Sequence, residues 1–368
     1  MKLFILSAAA FGALCVSGQD NIRLNEIQVI GTHNSYHAGI APNEAKLMAQ
    51  RNQRIFDSLD YHHAPLADQL SSGVRQIELD VFADTKGGLY ANPLGPKMVL
   101  KAGLPVDPPY QYAAAMTKPG FKVLHVQDLD YRSTCPTFVQ CLDVVKTWSK
   151  AHPGHIPIFI LVETKQSLPK SELPLAVPEH FTGTMFDLLD AEIRSVFTES
   201  EMITPDQVRG KYQTVNESIS HDGWPTLAAS RGKVIFLMDQ RPMGPIYTEG
   251  HPSLRGRLIF TNAIPGTPDA AFTEQNDGAP EEIARLVKEG YLVRTRSDSE
   301  TKQGRTGDTT RRDAALRSGA QLVSTDYPAS EPATWSGYSV SLPGGTVARC
   351  NPIMKPKGCN DAKLEPKN

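Results

Sequence analysis

The sequence predicts an α/β fold, namely a single-domain (β/α)8 TIM barrel. Short runs of apolar, β-branched residues recur eight times along the chain, and helix-like segments separate many of them. The runs are nearly continuously apolar instead of alternating, as in parallel strands that are buried on both faces. Strands and helices repeated in this order are typical of a closed parallel barrel with helices outside.

The predicted elements follow from these runs in chain order. The eight predicted strands cover residues 26–30, 74–82, 121–126, 156–165, 233–239, 257–263, 291–297 and 321–327. The main predicted helices cover residues 43–59, 136–151, 181–197, 280–288 and 311–317. The fourth of these has the expected end signals, because Pro280 and two acidic residues begin it and Gly290 follows it.

Three segments depart from the repeat. Residues 83–120 and 166–178 are long connections, which in a compact domain are usually functional or mobile. The first is rich in Gly and Pro yet carries apolar side chains such as Leu100 and Val106. It is expected either to insert into lipid or to pack on the barrel as a lid. Residues 328–368 are predicted to form a C-terminal extension, so that the barrel occupies residues 19–327.

Composition excludes several classes of protein. The chain has 368 residues, of which 40% are hydrophobic and 21% charged, as in ordinary globular proteins. Its formal net charge of −2 provides no general attraction for nucleic acid, so no nucleic-acid partner is expected. Any anionic substrate must therefore meet a local group of cations. The protein is expected to act as a monomer.

The amino terminus predicts export. Lys2, an uncharged run over residues 3–16 and a small-residue exit at Ser17-Gly18 predict a secretory signal peptide over residues 1–18, and hence an extracellular or periplasmic protein. One of the five cysteines, Cys15, lies inside this segment. The other four suggest disulfides, for which three pairings exist. We favour the local pairing of Cys135 with Cys141 and of Cys350 with Cys359, because the two pairs are far apart in sequence.

Acidic side chains gather at the predicted carboxyl ends of the strands. Glu78 and Asp80 are two residues apart and therefore point to the same side of a strand. Together with Glu163 and the amide oxygen of Asn34 they make an oxygen-only set. Such a set suits Ca²⁺, with Mg²⁺ as the alternative, and fits Zn²⁺ poorly.

Basic residues reach the same end of the predicted barrel. Lys165, Arg294 and Arg296 are predicted to bind substrate phosphate, although ion pairing is an equal interpretation of the two arginines. A further alternative is that the two acidic residues of the second strand form structural ion pairs with Arg75 and Lys165, without a metal.

Two histidines flank the acidic cluster. His33 and His125 are suited to protonate a leaving oxygen or to stabilise a phosphorane near neutral pH. The other eight histidines, including the His62-His63 pair, are expected to lie at the surface.

These motifs together resemble a known family. The segments Gly31-Thr32-His33-Asn34-Ser35-Tyr36-His37 and Gly73-Val74-Arg75-Gln76-Ile77-Glu78-Leu79-Asp80, followed by His125 and Glu163, resemble the X-box barrel of phosphatidylinositol-specific phospholipases C. In detail they are similar to the secreted, Ca²⁺-dependent microbial branch. The resemblance covers roughly the first half of the barrel, and the combination is specific although each motif alone is weak.

The resemblance implies a role for each matched residue. The implied Ca²⁺ ligands are Asn34, Glu78, Asp80 and Glu163, and the implied catalytic pair is His33 and His125. Either Glu78 or Glu163 would accept the proton of the inositol 2-hydroxyl. His33 would hydrogen-bond a phosphoryl oxygen and His125 would protonate the departing diacylglycerol oxygen. The products would be diacylglycerol and an inositol phosphate, cyclic at first, formed during transient contact with a membrane surface.

One departure from the family bears on the substrate. Animal members hold ring phosphates with lysines in the fifth strand, whereas here only Lys233, at the start of that strand, is basic. Plain phosphatidylinositol is therefore the expected substrate. A glycerophosphodiester phosphodiesterase is the closest alternative, but those enzymes begin with His-Arg-Gly where this chain has His33-Asn34-Ser35. An inactive barrel that binds lipid or a partner protein is the third interpretation, disfavoured because every expected ligand and both histidines are present.

Overall fold

The computed structural model describes residues 18–221 and 223–365. Within this part the strands are β1 (Ile27–Thr32), β2 (Gln76–Phe82), β3 (Lys122–Val123), β4 (Ile158–Lys165), β5 (Val234–Met238), β6 (Ile259–Phe260), β7 (Phe272–Glu274), β8 (Leu292–Arg296), β9 (Leu322–Thr325) and β10 (Ala348–Cys350).

The helices lie mainly between these strands. They are α1 (Pro42–Arg51), α2 (Gln53–Leu59), α3 (Leu66–Ser71), α4 (Leu94–Lys101), α5 (Phe138–Ala151), α6 (Gly183–Val196), α7 (Pro205–Arg209), α8 (Val215–Ser220), α9 (Leu227–Ser230), α10 (Gly244–Thr248), α11 (Pro280–Lys288), α12 (Lys302–Thr306), α13 (Thr310–Ser318) and α14 (Asp361–Leu364). Short 3-10 helices cover Gly18–Asn21, Leu24–Glu26, Ala115–Thr117, Glu199–Glu201, Arg241–Met243, Pro252–Leu254 and Pro343–Gly345.

Eight parallel strands form the barrel, which confirms the predicted fold class. Their order is β6, β5, β4, β2, β1, β9, β8, β7. The ends of this path approach each other between β6 and β7, where one parallel bridge joins Asn262 to Phe272. Because all eight strands run the same way, their carboxyl ends meet at one mouth, where active sites of such barrels form.

One predicted strand was wrong and one barrel strand was missed. Residues 121–126 do not form a barrel strand, since only β3 is extended there and it pairs antiparallel with β2. The run is apolar because Phe121, Val123 and Leu124 are buried, not because it belongs to the barrel. The eighth barrel strand is instead β7, which pairs with β8 over three residues and is too short to give a periodic signal.

The C-terminal extension is joined to the barrel sheet. β10 pairs antiparallel with β1, from Ile27 opposite Cys350 to Val29 opposite Ala348. The preferred disulfides are confirmed: Cys135 bonds Cys141 and Cys350 bonds Cys359. The second disulfide pins the segment that follows β10.

The long connection over residues 83–120 packs partly on the protein and leaves some apolar side chains exposed, so its insertion into lipid stays a prediction. It contains α4, whose Val99 is fully buried, while Leu100 is 67% and Val106 55% exposed. Residues 1–17 of the predicted signal peptide lie outside the described residues. Among the described residues, no helix is both long enough and apolar enough to cross a bilayer.

Candidate active site

Three predicted carboxylates meet at the barrel mouth. Asp80 and Glu163 are direct neighbours in the register of β2 and β4, and Glu78 lies two residues earlier on the same face. Their carboxylate oxygens come within 4.8 Å of one another. Asp80 and Glu78 are 0% and 1% exposed, so these charges are close together and shielded from water.

Asn34 is the predicted ligand that offers an amide oxygen, and it lies in the segment after β1, the strand that pairs with β2. Its backbone is in the left-handed region with φ of 46°, directly after β1. Its Nδ2 donates to the Tyr61 hydroxyl at 2.7 Å, which fixes the direction of the amide. Its Oδ1 is buried and has no hydrogen-bond partner among the described residues. A polar acceptor left in this way is costly unless a ligand or cation completes it.

The residues at the mouth fit a hard divalent cation. The ligand atoms are all oxygens, and Asp80 Oδ1, like Asn34 Oδ1, is buried without a hydrogen-bond partner in the described part of the chain. Ca²⁺ and Mg²⁺ prefer such ligands, and a cation would offset the repulsion among the three carboxylates.

Two protein cations partly neutralise the cluster. Lys165 Nζ lies 3.1 Å from Asp80 Oδ2 and 3.1 Å from Glu163 Oε1, and Arg294 Nη2 lies 2.5 Å from Glu78 Oε2. Burial raises the pKa of Glu78 to about 8, although Arg294 opposes the shift. Burial and the neighbouring Glu163 raise the pKa of Asp80 well above its ordinary value. Burial also opposes ionisation of Glu163, but Lys165 outweighs it and lowers the pKa of that carboxyl.

His33 is held by an aspartate at the adjacent strand end. His33 follows β1 and Asp326 follows β9, and the two strands pair from Val29 to Thr32. His33 Nδ1 lies 2.8 Å from Asp326 Oδ1, while Arg296 Nη1 lies 3.1 Å from His33 Nε2. Because the guanidinium can only donate, Nε2 must accept and the proton must sit on Nδ1. Burial, Arg296 and Arg294 hold the pKa of His33 well below its ordinary value.

His125 has an aspartate partner that sequence reasoning missed. Its Nδ1 lies 2.8 Å from Asp130 Oδ2, and its side chain is 17% exposed. Burial lowers the pKa of His125, although Asp130 opposes the shift. His125 therefore reaches the site from the segment after β3 and not, as predicted, from the end of a barrel strand.

The predicted cations are present, and each is paired. Lys165 and Arg294 contact the carboxylate cluster, and Arg296 Nη2 lies 3.2 Å from Asp326 Oδ2. The alternative in which Arg75 pairs with Glu78 is wrong, because Arg75 instead forms an ion pair with Glu365. The companion pair, Lys165 with Asp80, does exist.

Several histidines expected at the surface are buried. His37, His63 and His155 are 0%, 3% and 2% exposed. His63 Nε2 contacts the backbone carbonyl of His33 at 3.0 Å, and its Nδ1 contacts Glu331 of the C-terminal extension at 2.6 Å. The extension is thus tied to the loop that carries His33, which no sequence signal indicated.

Two more acids were missed at the mouth. Asp239 follows β5 and Glu274 ends β7. Glu274 Oε2 lies 3.7 Å from Arg294, and its Oε1 is buried without a partner among the described residues. Burial raises the pKa of Asp239 to about 6 and that of Glu274 well above its ordinary value. The acidic character of the mouth therefore extends beyond the metal-ligand set.

Comparisons with known proteins agree with this geometry. The Ca²⁺-dependent phosphoinositide phospholipase C family model matches residues 22–352. The calcium-dependent phosphoinositol-specific phospholipase C from a Gram-negative bacterium, Pseudomonas sp., in its apo form, has a similar fold, with a TM-score of 0.54 and 16% identity over 90% of this chain and 96% of that chain. The Ca²⁺-dependent phosphatidylinositol-specific phospholipase C from Streptomyces antibioticus gives 0.51 and 17% over 83% and 95%. No curated protein sequence matches the chain. The family match spans the whole barrel and contains every residue of the mouth, so the chain belongs to the Ca²⁺-dependent phosphoinositide phospholipase C family.

Proposed function

We propose that this enzyme cleaves phosphatidylinositol with bound Ca²⁺, releasing diacylglycerol and an inositol phosphate that is cyclic at first. One observation carries the proposal: three clustered carboxylates, two of them buried, lie beside two histidines, each of which is held through Nδ1 by an aspartate. This arrangement would supply a cation site, a proton acceptor and a proton donor at one barrel mouth.

The metal ligands proposed are Asn34, Glu78, Asp80 and Glu163. Bound Ca²⁺ would neutralise charge on the phosphoryl group and lower the pKa of the inositol 2-hydroxyl. Mg²⁺ remains the alternative because both ions take oxygen ligands. Lys165 and Arg294 now contact these carboxylates, so binding of a divalent cation would free them to meet the substrate phosphate.

The protein side chains would then move the protons. Glu78 or Glu163 accepts the proton of the 2-hydroxyl as its oxygen bonds to phosphorus. The phosphodiester replaces His33 as the partner of Arg296, and His33, protonated and supported by Asp326, donates from Nε2 to a phosphoryl oxygen. The bond from phosphorus to the glycerol oxygen breaks, and His125 donates a proton to that oxygen.

The charge of the mouth supports an unphosphorylated inositol ring as substrate. Asp239 follows β5 and Glu274 ends β7, whereas Lys233 lies at the opposite end of β5. Arg241, the nearby cation after β5, donates to Asn262 and Thr273. Acids at these positions would repel ring phosphates and accept hydrogen bonds from ring hydroxyls. Vesicles of phosphatidylinositol should therefore be cleaved much faster than vesicles of its 4,5-bisphosphate, and Asp239→Lys should narrow the difference.

Export and membrane contact are part of the same proposal. The signal-like amino terminus and the two disulfides support a secreted protein, because disulfides persist in oxidising compartments. Leu100 and Val106 are exposed on the connection that leaves the mouth after β2. These apolar side chains support transient contact of that connection with lipid.

The proposal is tested by release of soluble inositol phosphate from phosphatidylinositol vesicles in Ca²⁺, in Mg²⁺ and in chelator, with ³¹P NMR to identify a cyclic product. Activity should require Ca²⁺ and should be lost in His33→Ala, while His155→Ala, a buried histidine elsewhere, should remain active. Cleavage of glycerophosphoinositol alone would indicate the phosphodiesterase alternative. Vesicle binding by native protein without turnover in any metal would indicate an inactive barrel.

A further inference from the structure

A single buried carboxylate joins two histidines behind the active site. Asp130 Oδ2 lies 2.8 Å from His125 Nδ1 and 2.9 Å from His37 Nε2, and Asp130 Oδ1 lies 2.7 Å from His37 Nε2. His37 is 0% and Asp130 1% exposed. His37 is thus shielded from solvent, while His125 is partly open to it.

The backbone explains why these three residues meet. A tight turn returns the chain from Val126 to Asp130, with reciprocal backbone hydrogen bonds of 2.9 Å between the two residues, so Asp130 comes back beside His125. The following segment then pairs antiparallel with the chain around His37, through a bridge between His37 and Ser133. The positions of the three Cα atoms therefore do not depend on the side-chain bonds.

The orientation of the Asp130 carboxylate does depend on His37. Among the described residues, only His37 and His125 donate to that carboxylate, and His37 alone contacts Oδ1. Without His37, rotation about the last side-chain torsion of Asp130 would be opposed by one hydrogen bond only. The direction of the His125 ring, which is set by that bond, would loosen with it.

These contacts are hydrogen bonds and do not require a metal. The three side chains also satisfy a spacing at which a metal ion could be held. However, tetrahedral Zn²⁺ with bonds near 2.0–2.2 Å would separate its ligand atoms by about 3.3 Å. The observed nitrogen to oxygen distances of 2.7 to 2.9 Å are those of charge-assisted hydrogen bonds.

We propose that His37 is a positioning residue for His125, acting through Asp130 and never touching the substrate. The inference rests on the proposed function, in which His125 protonates the departing oxygen. Removal of His37 should then impair the breaking of bonds to poor leaving groups and spare bonds to good ones, because a good leaving group needs no proton. A general loosening of the fold would lower both reactions alike.

The test compares short-chain phosphatidylinositol, whose leaving group is an alkoxide, with inositol 1-(4-nitrophenyl phosphate), whose leaving group needs no acid. His125→Ala should lower kcat/KM on the first by roughly 10²- to 10⁴-fold and far less on the second. His37→Ala should lower kcat/KM on phosphatidylinositol by roughly tenfold and far less on the nitrophenyl ester. His37→Gln restores a hydrogen-bond donor and should recover most of the lost activity. Asp130→Asn provides the same comparison if His37→Ala does not fold.

A matched control and a double variant complete the design. His155 is also buried, and its Nε2 bonds Ser149 at 2.7 Å in the segment before β4, so His155→Ala should affect both substrates equally. Adding His37→Ala to His125→Ala should cause no further selective loss. An equal loss on both substrates in His37→Ala, or an additive double variant, would overturn the inference. If His125→Ala itself lacks selectivity, the proposed role of His125 fails, and the inference fails with it.

Discussion

Lys165 is expected to stabilise the metal-free enzyme against unfolding and to contribute little to that stability once Ca²⁺ is bound. Its ammonium lies 3.1 Å from both Asp80 and Glu163. At an effective dielectric constant of about 20, each contact corresponds to about 5 kcal/mol of Coulomb attraction, most of which desolvation offsets. Because the Lys165 side chain is 23% exposed, we expect Lys165→Met to lower the free energy of unfolding by about 2 kcal/mol in chelator, which is a few degrees in Tm.

Calcium should close this difference, because the cation takes over the neutralisation of the same carboxylates. The measurement is calorimetric Tm at pH 7, in chelator and along a Ca²⁺ titration, for the wild type and Lys165→Met. Ca²⁺ at about 100 times the wild-type Kd adds roughly 2.7 kcal/mol to the free energy of unfolding of the wild type. The variant lacks the competing ammonium, so it should bind Ca²⁺ more tightly and gain more at the same concentration. Lys122→Met is the control, because Lys122 is a buried lysine outside the cluster. Its Nζ lies 3.4 Å from Asp84 Oδ2. A difference in Tm between Lys165→Met and the wild type that is the same in chelator and in Ca²⁺ would refute the reasoning.

Three further predictions follow from single contacts. Asp326→Asn should lower kcat/KM on phosphatidylinositol by ~10²-fold or more, because the acceptor that sets the His33 tautomer is weakened; activity within a few-fold of wild type would contradict it. Burial raises the pKa of Glu192 from 4.5 to about 7, so its contribution to the free energy of unfolding is present below pH 4.5 and is lost as pH rises through 7. Denaturant titrations should show that Glu192→Gln removes this decline in the free energy of unfolding, which is at most about 3 kcal/mol. If the variant and the wild type lose stability equally as pH rises, the prediction is wrong. Replacing the Cys135–Cys141 disulfide by serines should cost about 2 kcal/mol and also lower kcat, because the disulfide fixes Cys135 close to Ser133, whose bridge to His37 holds the segment that follows Asp130, whereas the same change at Cys350–Cys359 should affect stability alone.

The barrel was predictable wherever a strand is long and buried on both faces. β2 and β4 have seven and eight residues and gave clear apolar runs. β7 has three residues, and its pairing with β8 and its bridge to Asn262 are tertiary contacts that leave no periodic trace. The prediction of a barrel strand over residues 121–126 was wrong for the opposite reason, because this apolar run packs into hydrophobic clusters without joining the parallel barrel.

The site was predictable where its residues lie near the carboxyl ends of strands. The proximity of Asp80 and Glu163 was predicted because those ends converge in a parallel barrel. Asp130 was not, because its role depends on a turn that returns the chain to His125. His37 was not, because a buried histidine with a charged partner has no pattern of its own in sequence.

The surroundings of the two histidines support different tasks for them. Each is held by an aspartate through Nδ1, but His33 faces the guanidinium of Arg296 at 3.1 Å, which disfavours a second proton until an anion arrives. Burial also lowers the pKa of His125, but the bond to Asp130 opposes that shift, and no guanidinium lies within hydrogen-bond distance of its ring among the described residues. Groups whose environments differ in this way can divide acid and electrostatic roles at one pH. A histidine that has no guanidinium at its ring takes up a proton more readily and is the better donor to a departing alkoxide, so His125 is the more suitable acid, and His33, beside Arg296, is better suited to stabilise the negative charge of the phosphoryl group.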